Sequence, residues 1–339
     1  MREHTSFSEL ETFQRCRRLW WYTYEQGWAP KRDATQLRRG AWVHTLLAAY
    51  YAGRDWRAEH DAQLAAVLEA ALFDEEREAL RAEADLIAGV MERYVEHYAD
   101  ERWEVVEYDG APLVERELLI TLPSGRPLKI KVDLVARDLE SELVWVWDHK
   151  TRQDFDKHME AETDYDPQLS IYTLGLRALS LPVAGGLHNF LRMRLPAEPR
   201  LNKDGTMSRA PIITDEPTVR RFIARSGVRI DDAELLAYLE RLPRDAFFRR
   251  YYTVRSDDEL ASIAAEIEAK LDERELARAH GLYTRTLIKE CVRCPFFGPC
   301  LVSLKGGDEE AVLQEQYARQ EEATVAAFLP DLDEGGEAA

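Results

Sequence analysis

The stretch PLKIKVDLVARDLESELVWVWDHK, residues 127–150, reads as two β-rich runs separated by DLES, and its register decides what the fold can hold. A turn centred between Glu140 and Ser141 places Asp133 opposite Asp148, because both lie equally far from that centre. Lys150 follows Asp148 by two residues and so projects from the same sheet face. Two carboxylates and an ammonium make poor core. Close carboxylates repel unless a cation sits between them, and oxygen ligands suit a hard divalent ion such as magnesium or manganese. The competing reading is a solvated outer face, and a bulge would break the pairing altogether.

The flanks extend this into an α/β pattern. LVERELLITL (113–122) reads as the preceding strand of an antiparallel set, and VAGGLHNFLRMRL (183–195) as a later one that carries Arg192 and Arg194, two candidate phosphate contacts. Between them DPQLSIYTLGLRAL reads as a helix with Asp166 as its N-cap and Pro167 at its first position. Gln168 and Tyr172, four apart, share one face of it. Upstream, residues 6–28 read as a helix entered through SFSELETF, with Ser8 and Glu11 at capping-box spacing. A second helix, AWVHTLLAAYY, follows Gly40 and carries His44, and residues 56–102 read as two or three amphipathic helices. Two further helical stretches, 231–242 and 256–274, lead toward the C-terminus.

Charge is uneven along the chain. The net charge of −18 argues against a nucleic-acid binder, since phosphate contacts come from Lys and Arg, yet residues 1–40 hold eight basic residues against five acidic ones. An anion-binding surface there, including Arg17, Arg18, Lys31 and Arg32, competes with a solvated helix face. Trp20 and Trp21 within it are either core or a platform for unpaired bases. Residues 301–339 carry ten acidic residues against Lys305 and Arg319, and residues 306–339 read as a partly disordered acidic tail that could recruit a recombination or replication partner. The N-terminus lacks an apolar signal-type segment and no apolar run approaches the ~18 residues of a membrane span, so the expectation is a soluble cytoplasmic protein. No Walker-type GKT occurs, which excludes ATP-driven translocation by such a motif.

Three of the four cysteines, Cys291, Cys294 and Cys300, fall in KECVRCPFFGPC, and the fourth is Cys16. In a reducing cytosol they are metal ligands or buried apolar groups before they are disulfides. The Pro-rich, polar character of that segment disfavours simple packing, while four thiolates suit either iron–sulfur or structural zinc.

Taken in order, SFSELETFQRCRRLWWY, RGAWVHTLL, KIKVDLV, VWDHKT, QLSIY and CVRCPFFGPC resemble the RecB-like branch of the PD-(D/E)XK nucleases, nearest to single-strand exonucleases of CRISPR-associated and phage type and to the AddB nuclease domain. The resemblance implies a restriction-endonuclease-like mixed sheet flanked by helices, in one nuclease domain over residues 1–305 with a helical insertion at about 52–103. It implies that His44, Asp133, Asp148 and the His149 carbonyl hold magnesium or manganese. Lys150 would act on the attacking water, and Gln168 and Tyr172 would hold Lys150 or the DNA backbone. It further implies that Cys16, Cys291, Cys294 and Cys300 ligate a 4Fe-4S cluster stapling segments 6–28 and 285–303, with zinc the lesser alternative. The implied activity is exonucleolytic cleavage of single-stranded DNA in recombination, repair or phage DNA processing. The rival is a catalytically silent DNA-binding accessory of the same fold, and a zinc-stapled regulator is a third reading. One departure is Arg17, where relatives often carry Pro after the first cysteine.

Overall fold

The computed structural model describes residues 4–31, 35–71 and 73–319, so Arg32 and the last twenty residues of the acidic tail lie outside the described part. The hairpin of residues 127–150 forms in the anticipated register. Leu134 pairs with Trp147, Val135 with Val146, Ala136 with Trp145 and Arg137 with Val144. The strand Pro127–Asp138 also pairs antiparallel with Val114–Thr121, and beyond that with Trp103–Val105. On its other edge the partnership changes midway. Below Leu134 the strand Val144–Arg152 is no longer its partner, and Leu128 and Lys129 pair instead with Thr5 and Ser6 in parallel. The two strands therefore part at Asp133 and leave a fork in the sheet.

The mixed sheet continues from Val144–Arg152 to the parallel strand Val183–Arg192 and the antiparallel Phe248–Thr253. The helix Pro167–Ala178 packs on one face, where Ile171 and Leu176 join Leu128, Ile130, Val132 and Val146. On the other face the helices Thr35–Tyr51 and Asp74–His97 bring Trp42, Leu46, Ile87 and Met91 against Leu191 and Phe248. Apolar side chains thus fill both sides of the sheet, which suits the near-continuous apolar text of its central strands. Among the described residues, no helix is long and apolar enough to cross a membrane.

Asp166 caps the helix Pro167–Ala178 as anticipated, accepting from the backbone N–H groups of Gln168 and Leu169 at 2.6 and 3.3 Å. Gly185 and Gly186 make room for what packs there. A Cβ at Gly185 would lie 2.1 Å from the Thr253 carbonyl oxygen, so the neighbouring strand can approach only a glycine. Gly185→Ala is expected to lower stability by about 3 kcal/mol through overpacking, read from urea denaturation monitored by far-UV circular dichroism.

Several boundaries differ from the sequence reading. The first helix runs Phe7–Arg15, capped by Ser6 rather than Ser8, and breaks at Cys16, whose extended backbone starts the separate turn Arg17–Trp20. Gly40 lies inside the His44 helix rather than before it. The text of residues 56–102 folds as the two helices Trp56–Ala70 and Asp74–His97. An additional helix forms at Glu216–Ser226, capped by Asp215. Within the described residues of the acidic tail, the helix Glu309–Gln316 is followed by the strand Tyr317–Arg319, which pairs antiparallel with Trp28–Pro30.

Candidate active site and cysteine centre

The fork gathers side chains from both helical layers. Asp133 accepts from the His149 backbone N–H through Oδ2 at 2.7 Å, and the His149 carbonyl accepts from His44 Nε2, also at 2.7 Å. With Nε2 carrying a proton, His44 Nδ1 faces Glu115 Oε1 at 3.3 Å and Asp133 Oδ2 at 3.4 Å. An imidazole nitrogen between two carboxylates needs a positive centre there, either a proton or a metal cation. Without metal the proton serves: although burial opposes it, Asp133 and Glu115 hold His44 well above the usual histidine range. Asp133 is shifted well down in spite of its burial, because His44 and His149 favour its charged form. Among the described residues, His44, Glu115 and Asp133 bring their ligand atoms within 4.8 Å of one another, a hard oxygen and imidazole set suited to a divalent ion.

Asp148 stands across the fork, almost fully buried. Its Oδ2 is 3.1 Å from Lys150 Nζ and 3.5 Å from His188 Nε2, yet neither contact is aligned as a hydrogen bond. Burial pushes its carboxyl up, against the pull of Lys150, and Asp133 adds to the rise. A buried carboxylate oxygen without an aligned donor is what a cation-binding residue looks like before its cation arrives. Gln168 Nε2 donates to the Tyr172 hydroxyl at 2.8 Å, and burial, helped by the charges of Asp148 and Asp133, holds that phenol well above 10.

Two residues at this site, Glu115 and His188, escaped the sequence reading. Glu115 reaches His44 and Lys131 because its backbone adopts φ +47°, a left-handed conformation that interrupts the strand pairing between Val114 and Arg116. No pattern in LVERELL marks that turn of the backbone. His188 is fully buried behind Asp148, with Nε2 2.8 Å from Asp166 Oδ2 and Nδ1 3.0 Å from Thr163 Oγ1. Asp166 thus has a second contact beyond its cap. His149 sends its side chain to the opposite face, where burial lowers it to about 4, Asn189 Nδ2 lies 3.0 Å from Nδ1, and Tyr51 stacks on the ring. Arg250 closes this layer by donating to Asn189 Oδ1 at 3.0 Å and covering Tyr98 and Trp147.

The four cysteines meet at one cavity of about 670 Å³, including its part open to solvent. Cys16 reaches it from the break after the first helix, and Cys291, Cys294 and Cys300 from the short helical turns near the C-terminus. Backbone bonds fix the two segments together: Arg18 N–H donates to the Thr284 carbonyl at 3.0 Å, and Thr286 Oγ1 donates to the Arg15 carbonyl at 2.8 Å. Despite burial, hydrogen bonds from the backbone at Leu19, Thr286 and Arg18 lower the Cys16 thiol, whereas burial pushes Cys294 up to about 11.

The expected nucleic-acid path near the N-terminus is corrected at Trp20. Its ring is fully buried against Phe13 and its Nε1 donates to Glu9 at 3.0 Å, a carboxylate also paired with Arg274, so it cannot stack a base. Trp21 stacks on Tyr283. Arg17 pairs with Glu273 at 3.3 Å, and Arg18 lies over Trp21 and is bound by Glu309 at 2.6 Å. Lys31 donates to the carbonyls of Gln314 and Glu315 at 3.1 and 2.6 Å. Glu309, Gln314 and Glu315 of the tail therefore occupy Arg18 and Lys31. Arg192 and Arg194 sit elsewhere, at the end of the strand beside Asp148.

Comparison with curated proteins gave no match. Compared with models of protein families, residues 4–300 match the one described as the PD-(D/E)XK nuclease superfamily. A mixed sheet flanked by helices, with Asp133, Asp148 and Lys150 on adjacent strands at a fork, is the arrangement that this match covers, and the chain belongs to the PD-(D/E)XK nuclease superfamily.

Proposed function

We propose that the chain is a metal-dependent deoxyribonuclease that removes nucleotides from single-stranded DNA ends, in recombination, repair or phage DNA processing. The observation that carries this reading is the fork itself, where Asp133, Glu115 and His44 converge opposite Asp148 and Lys150. His44, Asp133 and Asp148 would hold magnesium or manganese, with Glu115 added and the His149 carbonyl adjacent. When bound, such a cation polarises the phosphoryl oxygen and lowers the pKa of a water molecule. Lys150 places its ammonium beside Asp148, where it can orient a nucleophilic water and offset charge building on the phosphate. The Gln168–Tyr172 pair offers a hydrogen-bonding surface from the same helix end.

Cys16, Cys291, Cys294 and Cys300 would hold a 4Fe-4S cluster. Supporting a shared centre, all four cysteines line one cavity although Cys16 stands 275 residues before Cys291, and zinc remains the alternative that four thiolates could also hold. Protein purified without oxygen is expected to be brown and to contain iron and sulfide, while a colourless zinc-containing preparation would overturn the cluster.

The decisive experiment is digestion of 5′- and 3′-end-labelled single strands, duplexes and circles with magnesium or manganese. Mononucleotide or short-oligonucleotide release from linear single strands is expected, with circles resistant and activity lost on chelation. Binding without cleavage under all these conditions would leave the accessory-protein reading.

A further inference from the structure

Beyond the fork, the strand Val183–Arg192 presents a second group of side chains on the catalytic face. His188 touches Asp148, and alternation along the strand puts Phe190 and Arg192 on the same side. The parallel register pairs Phe190 with Lys150 and Arg192 with Arg152, so Arg192 lies one step, roughly 7 Å, farther along the sheet than the Lys150 pair. Arg152 is engaged by Glu162. Arg192 is different: its side chain is nine-tenths buried, one terminal nitrogen donates to the Ala246 carbonyl at 2.8 Å, and its buried Nε has no hydrogen-bond partner.

The surroundings of Arg192 are cationic. Its guanidinium carbon lies 4.6 Å from the centre of the Phe155 ring, and that of Arg249 lies 5.1 Å from the same ring. Arg194, half exposed, completes the group. Three guanidiniums face two carboxylates. Asp245 holds Arg249 Nε at 2.7 Å, whereas Asp154 sits loosely, 3.9 Å from Arg192 and 3.7 Å from Arg194, and is largely exposed. A net positive side-chain cluster in a chain of net charge −18, ordered around an aromatic ring and loosely held by one exposed carboxylate, is suited to exchange that carboxylate for another oxyanion.

We infer that Arg192, Arg194 and Arg249, ordered around Phe155, form a phosphate subsite that grips the substrate backbone next to the scissile position, with Asp154 as the resident anion that the phosphate displaces. The identity of the ligand as nucleic acid rests on the nuclease reading. Phe155 lies under two guanidiniums and orders them, and the ligand is the phosphodiester. The subsite lies on the sheet's catalytic face, away from the N-terminal basic stretch whose Arg18 and Lys31 the tail occupies.

The test is fluorescence anisotropy of a labelled oligothymidine with the full chain in EDTA, over a salt series. The double variant Arg194→Gln/Arg249→Gln is expected to bind about 10-fold more weakly at low salt, with its log–log salt slope reduced by about 1.4, the value for two lost single-strand phosphate contacts. Asp154→Asn changes an exposed residue with only long contacts, so folding is not at risk, and it is expected to bind a few-fold more tightly. Unchanged affinity and slope in a double variant that melts like wild type, or unchanged or weaker binding by Asp154→Asn, would overturn the subsite. Cleavage by the wild-type chain with magnesium or manganese is scored separately. If it cuts and the variants bind normally, the subsite fails alone. If it does not cut and both shifts appear, the nuclease reading fails and the phosphate subsite stands.

Discussion

Asp148→Asn is expected to reduce single-turnover DNA cleavage about 10³-fold, a loss of ~4 kcal/mol of transition-state stabilisation, while DNA binding is retained or slightly strengthened. The substitution keeps the shape of a buried side chain and removes its charge. That charge now opposes burial and faces Lys150, His188 and, across the fork, Asp133. Its removal relieves repulsion of an incoming phosphate but leaves the cation one ligand short. Lys150→Ala should reduce turnover by about 10²-fold with a smaller effect on metal affinity, because the ammonium acts on water and phosphate rather than on the cation. Calorimetric titration of manganese separates the two. Either variant cleaving at near wild-type rate with metal present would show that the reaction happens elsewhere.

Cys16→Ala is expected to lower the melting temperature as much as Cys294→Ala, by roughly 10 °C or more, with loss of visible absorbance in both. Each would remove one ligand of the proposed shared centre, whose binding energy would belong to the fold because it would join the segments around Cys16 and Cys291–Cys300. The packing around it strengthens the coupling. Tyr22, Phe296 and Tyr317 stack in sequence, and Glu309 binds both Arg18 and Tyr22. A Cys16 variant with full metal content and unchanged melting would detach the remote cysteine from the centre.

What the sequence made legible was periodic or countable. The register of Leu134 with Trp147 follows from the position of a turn, and the two-residue offset of Asp148 and Lys150 from the pleat. The cap at Asp166 follows from residue type and the proline after it. The misses have a different origin. Trp20 is buried among Phe13, Tyr24 and Ala277 with its N–H bound by Glu9, which pairs with Arg274, and no local pattern records partners more than 250 residues away. Glu115 enters the site through a backbone conformation unusual for glutamate, which propensity argues against. His188 stands in the strand Val183–Arg192 with nothing local to mark it, and only the register reveals that it backs Asp148. The acidic tail reads as partly disordered from its charge, and the partners of its described residues are not legible locally: Glu309 binds Arg18 and Tyr22, and Tyr317–Arg319 pairs with Trp28–Pro30.

The parting of the cysteines along the chain has a consequence for synthesis. Cys16 is made 275 residues before Cys291, so the two cysteine-bearing segments cannot meet until the whole mixed sheet, whose last strand ends at Thr253, has left the ribosome. Thr5 and Ser6 can join the growing sheet once residues 128 and 129 emerge, holding Cys16 near its eventual place long before its partners exist. The fork that carries the carboxylates can thus be assembled while the thiols are still incomplete. A product truncated before Cys291 would hold the strands of the fork without the segment that brings Cys291, Cys294 and Cys300 to the cavity beside Cys16.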